Sequence, residues 1–309
     1  MTKKIEDNLE KIPVVNILVK LGKKIKIPGL QGMSLYDVIE MYIIGIVRGA
    51  LTTRAGGIAF SFFMAIFPFM LFILSLIPYM PIEGFQDNLF GLLQELLPPK
   101  TFDAVDVVLK DIINNQYGGL LSFGFLASIF LMTNGVNAIF GGFEYSYHVT
   151  EIRNVFRAYL VSLGVSLLMS LFLIITVVLI IYYQVALARI DKIGWLDTAD
   201  LDLFYWGRGL LFLIMIFTIV SLLFRFGTKQ GKEVKFFSPG AILTTMLSLF
   251  SFYLFGIYVV KFATYNQLYG SIGTLLVLML FVWLNSIILL LGFELNASIY
   301  RLKRINKTS

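Results

Sequence analysis

Six apolar runs, each near the length that crosses a bilayer, constrain this chain more than any other feature. They cover about Gly57–Pro78, Gly119–Phe140, Ala158–Gln184, Gly207–Gly227, Pro239–Val260 and Ile272–Ala297. A helix needs about 20 such residues to cross the hydrocarbon core. The sequence therefore predicts an all-α polytopic membrane protein with six transmembrane helices. Composition agrees: 58% of the 309 residues are hydrophobic and 14% are charged, against about 25% charged in soluble domains. Residues 1–33 read as a basic cytoplasmic N-terminal segment, 34–300 as the six-span domain and 301–309 as a basic cytoplasmic tail.

Orientation follows from the basic residues of the short loops, which resist translocation. Lys20, Lys23, Lys24, Lys26, Arg48 and Arg54 precede the first span. The next loop is acidic, with Glu83, Asp87, Glu95, Asp103, Asp106 and Asp111 against Lys100 and Lys110. Arg153 and Arg157 follow the second span, and Asp191, Asp197, Asp200 and Asp202 follow the third. Arg225, Lys229, Lys232 and Lys235 mark the fourth loop, and Arg301, Lys303, Arg304 and Lys307 mark the tail. This alternation predicts a multi-pass protein of the plasma membrane with both termini cytoplasmic. The first 55 residues lack the short apolar stretch and small-residue cleavage site of a signal peptide, so the first span is expected to direct insertion.

Two regions outside the spans read as amphipathic helices. Ser34 and Asp37 form a capping-box pattern, and Leu35, Val38, Ile39, Tyr42, Ile43, Ile46 and Ala50 follow at helical spacing. Asp37, Glu40 and Arg48 argue against a seventh span and for an interfacial helix. In the acidic loop, Phe85, Leu89, Leu92, Leu93 and Leu96 form one stripe that Pro98 and Pro99 end. Thr101 then caps a second, with Phe102, Val105, Leu109 and Ile112. Both suit a membrane surface.

Within the spans, Ser238 and Pro239 read as N-cap and first-turn proline of the fifth. Gly240, Thr244 and Ser248 recur every four residues, as do Gly57, Ser61 and Ala65, a spacing that lets helices approach closely. Pro68 is expected to kink the first span and serve as a hinge.

Burying polar groups in lipid is costly, so those inside the spans carry most of the functional information. Asn134, Asn137, Gly141, Glu144 and His148 fall at increments of three and four, on one helical face. Asn285, Gly292 and Asn296 share a face of the last span, and Glu294 points to the opposite side. Two readings suit these residues: a polar path for a headgroup or proton, or a lock between helices. A buried carboxylate calls for a cation, and Arg54 is the expected partner of Glu144 or Glu294, with Arg48 and Arg153 as further candidates. Glu151 and Arg153 are further ion-pair candidates. The lone His148 is expected to be solvated at the cytoplasmic interface. With one histidine and no cysteine, no metal, cofactor or disulfide is expected. The basic rim would attract anionic lipid headgroups.

Three stretches resemble the YihY/BrkB family of bacterial integral membrane proteins, whose older members were once labelled ribonuclease BN. The first runs from Ala55-Gly-Gly-Ile to Phe67-Pro68. The second contains Asn137, Phe140, Glu151 and Arg153. The third contains Tyr269-Gly270, Trp283 and Gly292-Phe-Glu294-Leu-Asn296-Ala. The resemblance covers residues 36 to 300, and the doubled Gly141-Gly142 departs from the pattern. It implies a six-span membrane protein with cytoplasmic termini and no settled biochemical activity; Gly270 and Gly292, with Gly57, Ser61 and Pro68, are expected as hinge and close-packing positions. For relatives it implies serum resistance or movement of envelope lipids.

From these features the chain is expected to be a non-enzymatic transporter or flippase-like protein for an amphipathic envelope lipid or related solute. A scaffold for envelope-assembly machinery is the alternative. Its expected partners are membrane lipids and not nucleic acid, and homo-oligomers are compatible with it. RNA cleavage needs an acid/base pair or a metal on a surface that admits RNA, and the short loops offer none.

Overall fold

The computed structural model of the chain describes residues 34–79, 110–111, 115–193, 198–261 and 271–308. The N-terminal basic segment, Gly270 and all but residues 110–111 of the two helices expected in the acidic loop lie outside the described residues. Seven α-helices are found among those described: α1 Leu35–Arg48, α2 Leu51–Leu76, α3 Gly118–Glu144, α4 Val155–Ile193, α5 Thr198–Phe226, α6 Pro239–Lys261 and α7 Ser271–Thr308. Six of them, α2 to α7, are long and apolar enough to cross a membrane.

Local sequence sets the helix ends. The Ser34 hydroxyl accepts from the Asp37 N–H and the Asp37 carboxylate accepts from the Ser34 N–H at 2.7 Å, a reciprocal cap for α1. Ser238 caps α6 by accepting from the Ala241 N–H at 3.2 Å, with Pro239 in the first turn. Hydroxyls inside the spans largely serve their own helix: those of Ser61, Thr133, Ser162, Thr245 and Ser286 each donate to the carbonyl four residues back. Such bonding lets serine and threonine sit in an apolar span without an orphaned donor.

Several boundaries differ from the sequence reading: α4 runs on from Gln184 to Ile193, α5 begins at Thr198 and not Gly207, and three others bear on the polar residues. Helix α2 begins at Leu51 and not Gly57, which puts Arg54 on the helix. Helix α7 does not stop at Ala297 but continues to Thr308. No glycine or proline interrupts it there, and Leu302 is buried against Val38 of α1. Helix α3 ends at Glu144, and the chain turns at Tyr145–His148, so His148 leaves the helical stripe assigned to it.

The spans form a ring. Each of α2 to α6 packs on its successor, and α7 closes the ring on α2. Inside it, Phe143 of α3 stacks on Phe293 of α7 with centroids 4.1 Å apart, and Phe224 of α5 stands edge-on to both. These three rings come from alternate helices and are buried, so they plug the ring near the end that carries Arg48, Arg153, Arg225 and Arg301. Burial is concentrated at this basic end. Farther along, Leu275, Leu276, Met279, Leu280 and Leu284 of α7 and Phe252, Tyr253 and Leu254 of α6 are exposed. Helix α1 lies outside the ring and runs antiparallel to the end of α7, since Val38 meets Leu302 while Gly45 approaches Glu294.

Candidate functional site

The basic end holds the densest polar network. Arg54 Nη2 pairs with Glu294 Oε1 at 2.7 Å, and Arg54 Nη1 donates to the Gly142 carbonyl at 2.7 Å. Ser146 Oγ donates to Glu294 Oε2 at 2.8 Å. Of the two carboxylates considered for Arg54, the structure joins it to Glu294. Glu144 instead accepts from the Arg153 N–H at 3.3 Å, while the Arg153 guanidinium donates to the Phe226 carbonyl at the end of α5. Glu151 pairs at 3.7 Å with Lys229, both exposed, a geometry that contributes little.

His148 is buried and not solvated, in contrast to the sequence reading. The turn after α3 tucks it beneath α1, where its Nε2 lies 3.0 Å from the Met41 carbonyl and its Nδ1 3.4 Å from Arg301 Nη1. A guanidinium can only donate, so Nδ1 accepts and Nε2–H donates to Met41. Burial pushes the His148 pKa down; the Met41 bond and the Glu294 charge oppose that, and the Arg301 charge adds to it.

The last span divides its polar groups as its spacing predicts. Asn296 accepts from the Gly240 N–H and donates to Ser238 Oγ, both at 2.9 Å. Asn285 donates to Ser251 Oγ at 3.2 Å. Both partners are on α6 or its cap, whereas Glu294, on the opposite side, meets α2. Gly292 and Gly240 form the α6–α7 crossing. A Cβ on Gly240 would strike the Gly292 carbonyl, and one on Gly292 would strike Thr244 Oγ1.

Helix α3 shows a different arrangement from the single polar path considered above. Successive residues turn about 100°, so Asn134, Ala138 and Gly141 lie opposite Val136, Phe140 and Phe143. The latter three are buried, and the polar face therefore turns outward and toward α4. Beside this face runs a seam with α4: Asn137 accepts from Ser162 Oγ at 3.3 Å, Thr133 and Ser166 share a hydrogen bond of 3.2 Å, and Ser170 reaches Met132 Sδ. Asn134, midway along the span, is half-buried and has no hydrogen bond to a described residue. Beyond Gly141 there is open space.

The close approach expected at Gly57 occurs elsewhere. Gly57 is exposed with nothing near its missing Cβ, and Ser61 bonds only its carbonyl. Gly142 fills that role on the neighbouring helix, against Ile58 and Leu290. Helix α2 passes Pro68 without a break; proline leaves one carbonyl of the preceding turn without its donor.

Sequence reasoning missed Ser146, Tyr147 and Arg301. Tyr147 carries the guanidinium of Arg48 on its hydroxyl at 3.0 Å and that of Arg301 on its carbonyl at 3.1 Å. No periodicity marks these residues, because two of them lie in a turn. Among the described residues no three His, Cys, Asp or Glu side chains converge in a way that could hold a metal.

Residues 45–308 match the family described as virulence factor BrkB. YfkH of Bacillus subtilis, whose name calls it ribonuclease-like, is 30% identical over 259 residues, which is 82% of this chain and 91% of that protein. A membrane protein of Coxiella burnetii is 25% identical over 77% of this chain and 84% of its own length. One of Aliivibrio fischeri is 24% identical over 82% and 80%. No solved structure matches the chain at a significant level. With its span number, its order of motifs and a match over nearly the whole described domain, the chain belongs to the BrkB family of membrane proteins.

Proposed function

We propose that this protein is a transporter or flippase-like protein for an amphipathic envelope lipid or related solute, in which a headgroup passes along the seam between α3 and α4. The observation that carries this reading is Asn134, a half-buried amide without a described partner at the middle of a 27-residue span. An unmet amide at that depth is expensive in hydrocarbon. Water or a headgroup at the seam would satisfy it, and Asn137, Ser166 and Ser170 extend the same polar strip. The ring interior is an unsuitable route at the basic end, where Phe143, Phe224 and Phe293 fill it.

The basic end faces the cytoplasm in this reading, by the excess of Lys and Arg there, and the plasma membrane of a bacterium is the setting. The protein moves its substrate without altering it. We do not carry the ribonuclease-like label of YfkH to this chain, because Glu144, Glu294 and His148 are buried and held by other parts of the bundle: the Arg153 N–H, Arg54 and the Met41 carbonyl.

A scaffold role is the second reading, favoured by the bonds of Asn296 to Ser238 and Gly240, which lock two helices. The two are separated in proteoliposomes by following the accessibility of a labelled headgroup. Transport predicts a rate above that of protein-free vesicles, reduced in an Asn134→Leu variant. Equal rates with and without protein would leave the scaffold.

A further inference from the structure

The protein has two arginines converging on one exposed tyrosine at its basic end. The guanidinium carbons of Arg48 and Arg301 lie 5.2 and 4.9 Å from the centroid of the Tyr147 ring. One arginine comes from the last turn of α1, the other from the far part of α7, and the ring from the turn after α3. Tyr147 is 39% exposed. Among the described residues the partners of Arg301 are all neutral: the Tyr147 carbonyl, the Tyr147 ring and His148 Nδ1. Two bonds from one nitrogen leave Nη2 and Nε of Arg301 without a hydrogen bond among the described residues.

The Glu294 carboxylate, which Ser146 of the same turn contacts, is already engaged by Arg54. Lys303, exposed two residues further along α7, adds to a positive field. Two like charges held on one ring repel, and an anion with several acceptor oxygens would turn that repulsion into attraction. Guanidinium forks suit phosphate geometrically. Helix α1 also leaves Ile39, Ile43 and Val47 exposed at four-residue spacing, an apolar stripe suited to acyl chains. Its last turn, with Arg48, then sits at headgroup depth.

We infer that Arg48, Tyr147 and Arg301 form a binding site for the phosphate of an anionic phospholipid. The inference deepens the lipid reading above by giving the headgroup class, and it is tested by binding alone, so its failure would leave the transport assay to judge that reading separately. Tyr147 spaces the two guanidiniums, and His148 holds that of Arg301 in position.

The experiment uses the full chain in phosphatidylcholine nanodiscs, with phosphatidylglycerol titrated in and bound lipid counted by native mass spectrometry. Each lost guanidinium is expected to weaken binding about fivefold, the factor that corresponds to one interfacial charge. Arg48→Gln and Arg301→Gln should both show it, whereas Arg157→Gln, an exposed charge elsewhere on the basic end, should bind as wild type. Arg301→Lys keeps the charge and the fold but loses the fork, and should fall between. Unchanged binding in Arg48→Gln and Arg301→Gln, or an equal loss in Arg157→Gln, would overturn the site in favour of diffuse attraction. Competition by millimolar inorganic phosphate as effective as the lipid would overturn the lipid source and assign the site to a soluble anion.

Discussion

Arg54 and Glu294, 240 residues apart, meet at 2.7 Å with side chains 7% and 0% exposed. Through this pair the first span is tied to the last, and the ring of six helices is closed at its basic end. The Gly142 carbonyl and Ser146 Oγ add to the coordination of the two charges, while the buried Arg54 Nε has no partner among the described residues. A buried pair of this kind is weak as a source of net stability but costly to break on one side, because the remaining charge has no water to return to.

Arg54→Met is therefore expected to destabilise the protein by about 3–5 kcal/mol, read as a fall in the thermal unfolding midpoint in detergent. The double variant Arg54→Met, Glu294→Leu should recover part of that loss. Recovery will be incomplete, since Ser146 and the Gly142 carbonyl lose their partners. If the double variant were no more stable than the single one, the cost would not lie in an uncompensated charge.

The α6–α7 crossing depends on two glycines. Gly240→Ala and Gly292→Ala force a methyl against backbone or against Thr244, and each should cost about 1–3 kcal/mol, the range of overpacked cores. Gly57→Ala, with open space at its Cβ, should lie within about 0.5 kcal/mol of wild type. The same detergent melts would separate the three. A loss at Gly57 equal to that at Gly292 would contradict the packing.

The sequence made the spans legible because lipid imposes one period and one length. It also placed Ser34, Asp37, Ser238 and Pro239 at helix starts, where capping chemistry is local. The opposite facings of Asn285 and Glu294 followed from nine residues of helical rotation. What spacing could not give was which side of α3 faces the ring. The stripe of Asn134, Asn137 and Gly141 has the right period, but period alone does not distinguish inside from outside. Gly57 failed as a packing position for the same reason. His148 lay beyond the helix end, where rotation no longer predicts direction, so its burial beneath α1 was hidden. The pairing of Arg54 with Glu294 over Glu144 depended on α2 starting six residues earlier than hydropathy suggested.

Asn296 and Asn134 should respond in opposite ways to removal of the amide. Asn296→Leu strands the Gly240 N–H and removes a bond to Ser238, at a cost of about 1–3 kcal/mol. Asn134→Leu removes an amide with no described partner and should leave stability unchanged or raised while slowing headgroup movement. Thermal melts and the proteoliposome assay, run on both variants, read the two effects apart. Equal destabilisation would mean that Asn134 also locks helices.

His148 makes the basic end sensitive to acid. Gly45 and the Met41 carbonyl of α1, Glu294 and Arg301 of α7, and Tyr147 of its own turn surround it. Its folded pKa lies below the ordinary 6.5, chiefly through burial. Between those two values the unfolded chain holds more protons than the folded one, so stability rises with pH across that window. The contribution is complete above the ordinary value and is lost as pH falls from there through the folded pKa. Protonated Nδ1 can no longer accept from Arg301, and two cations then face each other. Wild type should accordingly lose more thermal stability than His148→Gln when moved from about pH 7.5 to about pH 5, since glutamine keeps a donor for Met41 and does not titrate. Parallel losses in the two proteins would show that the acid sensitivity resides in other groups.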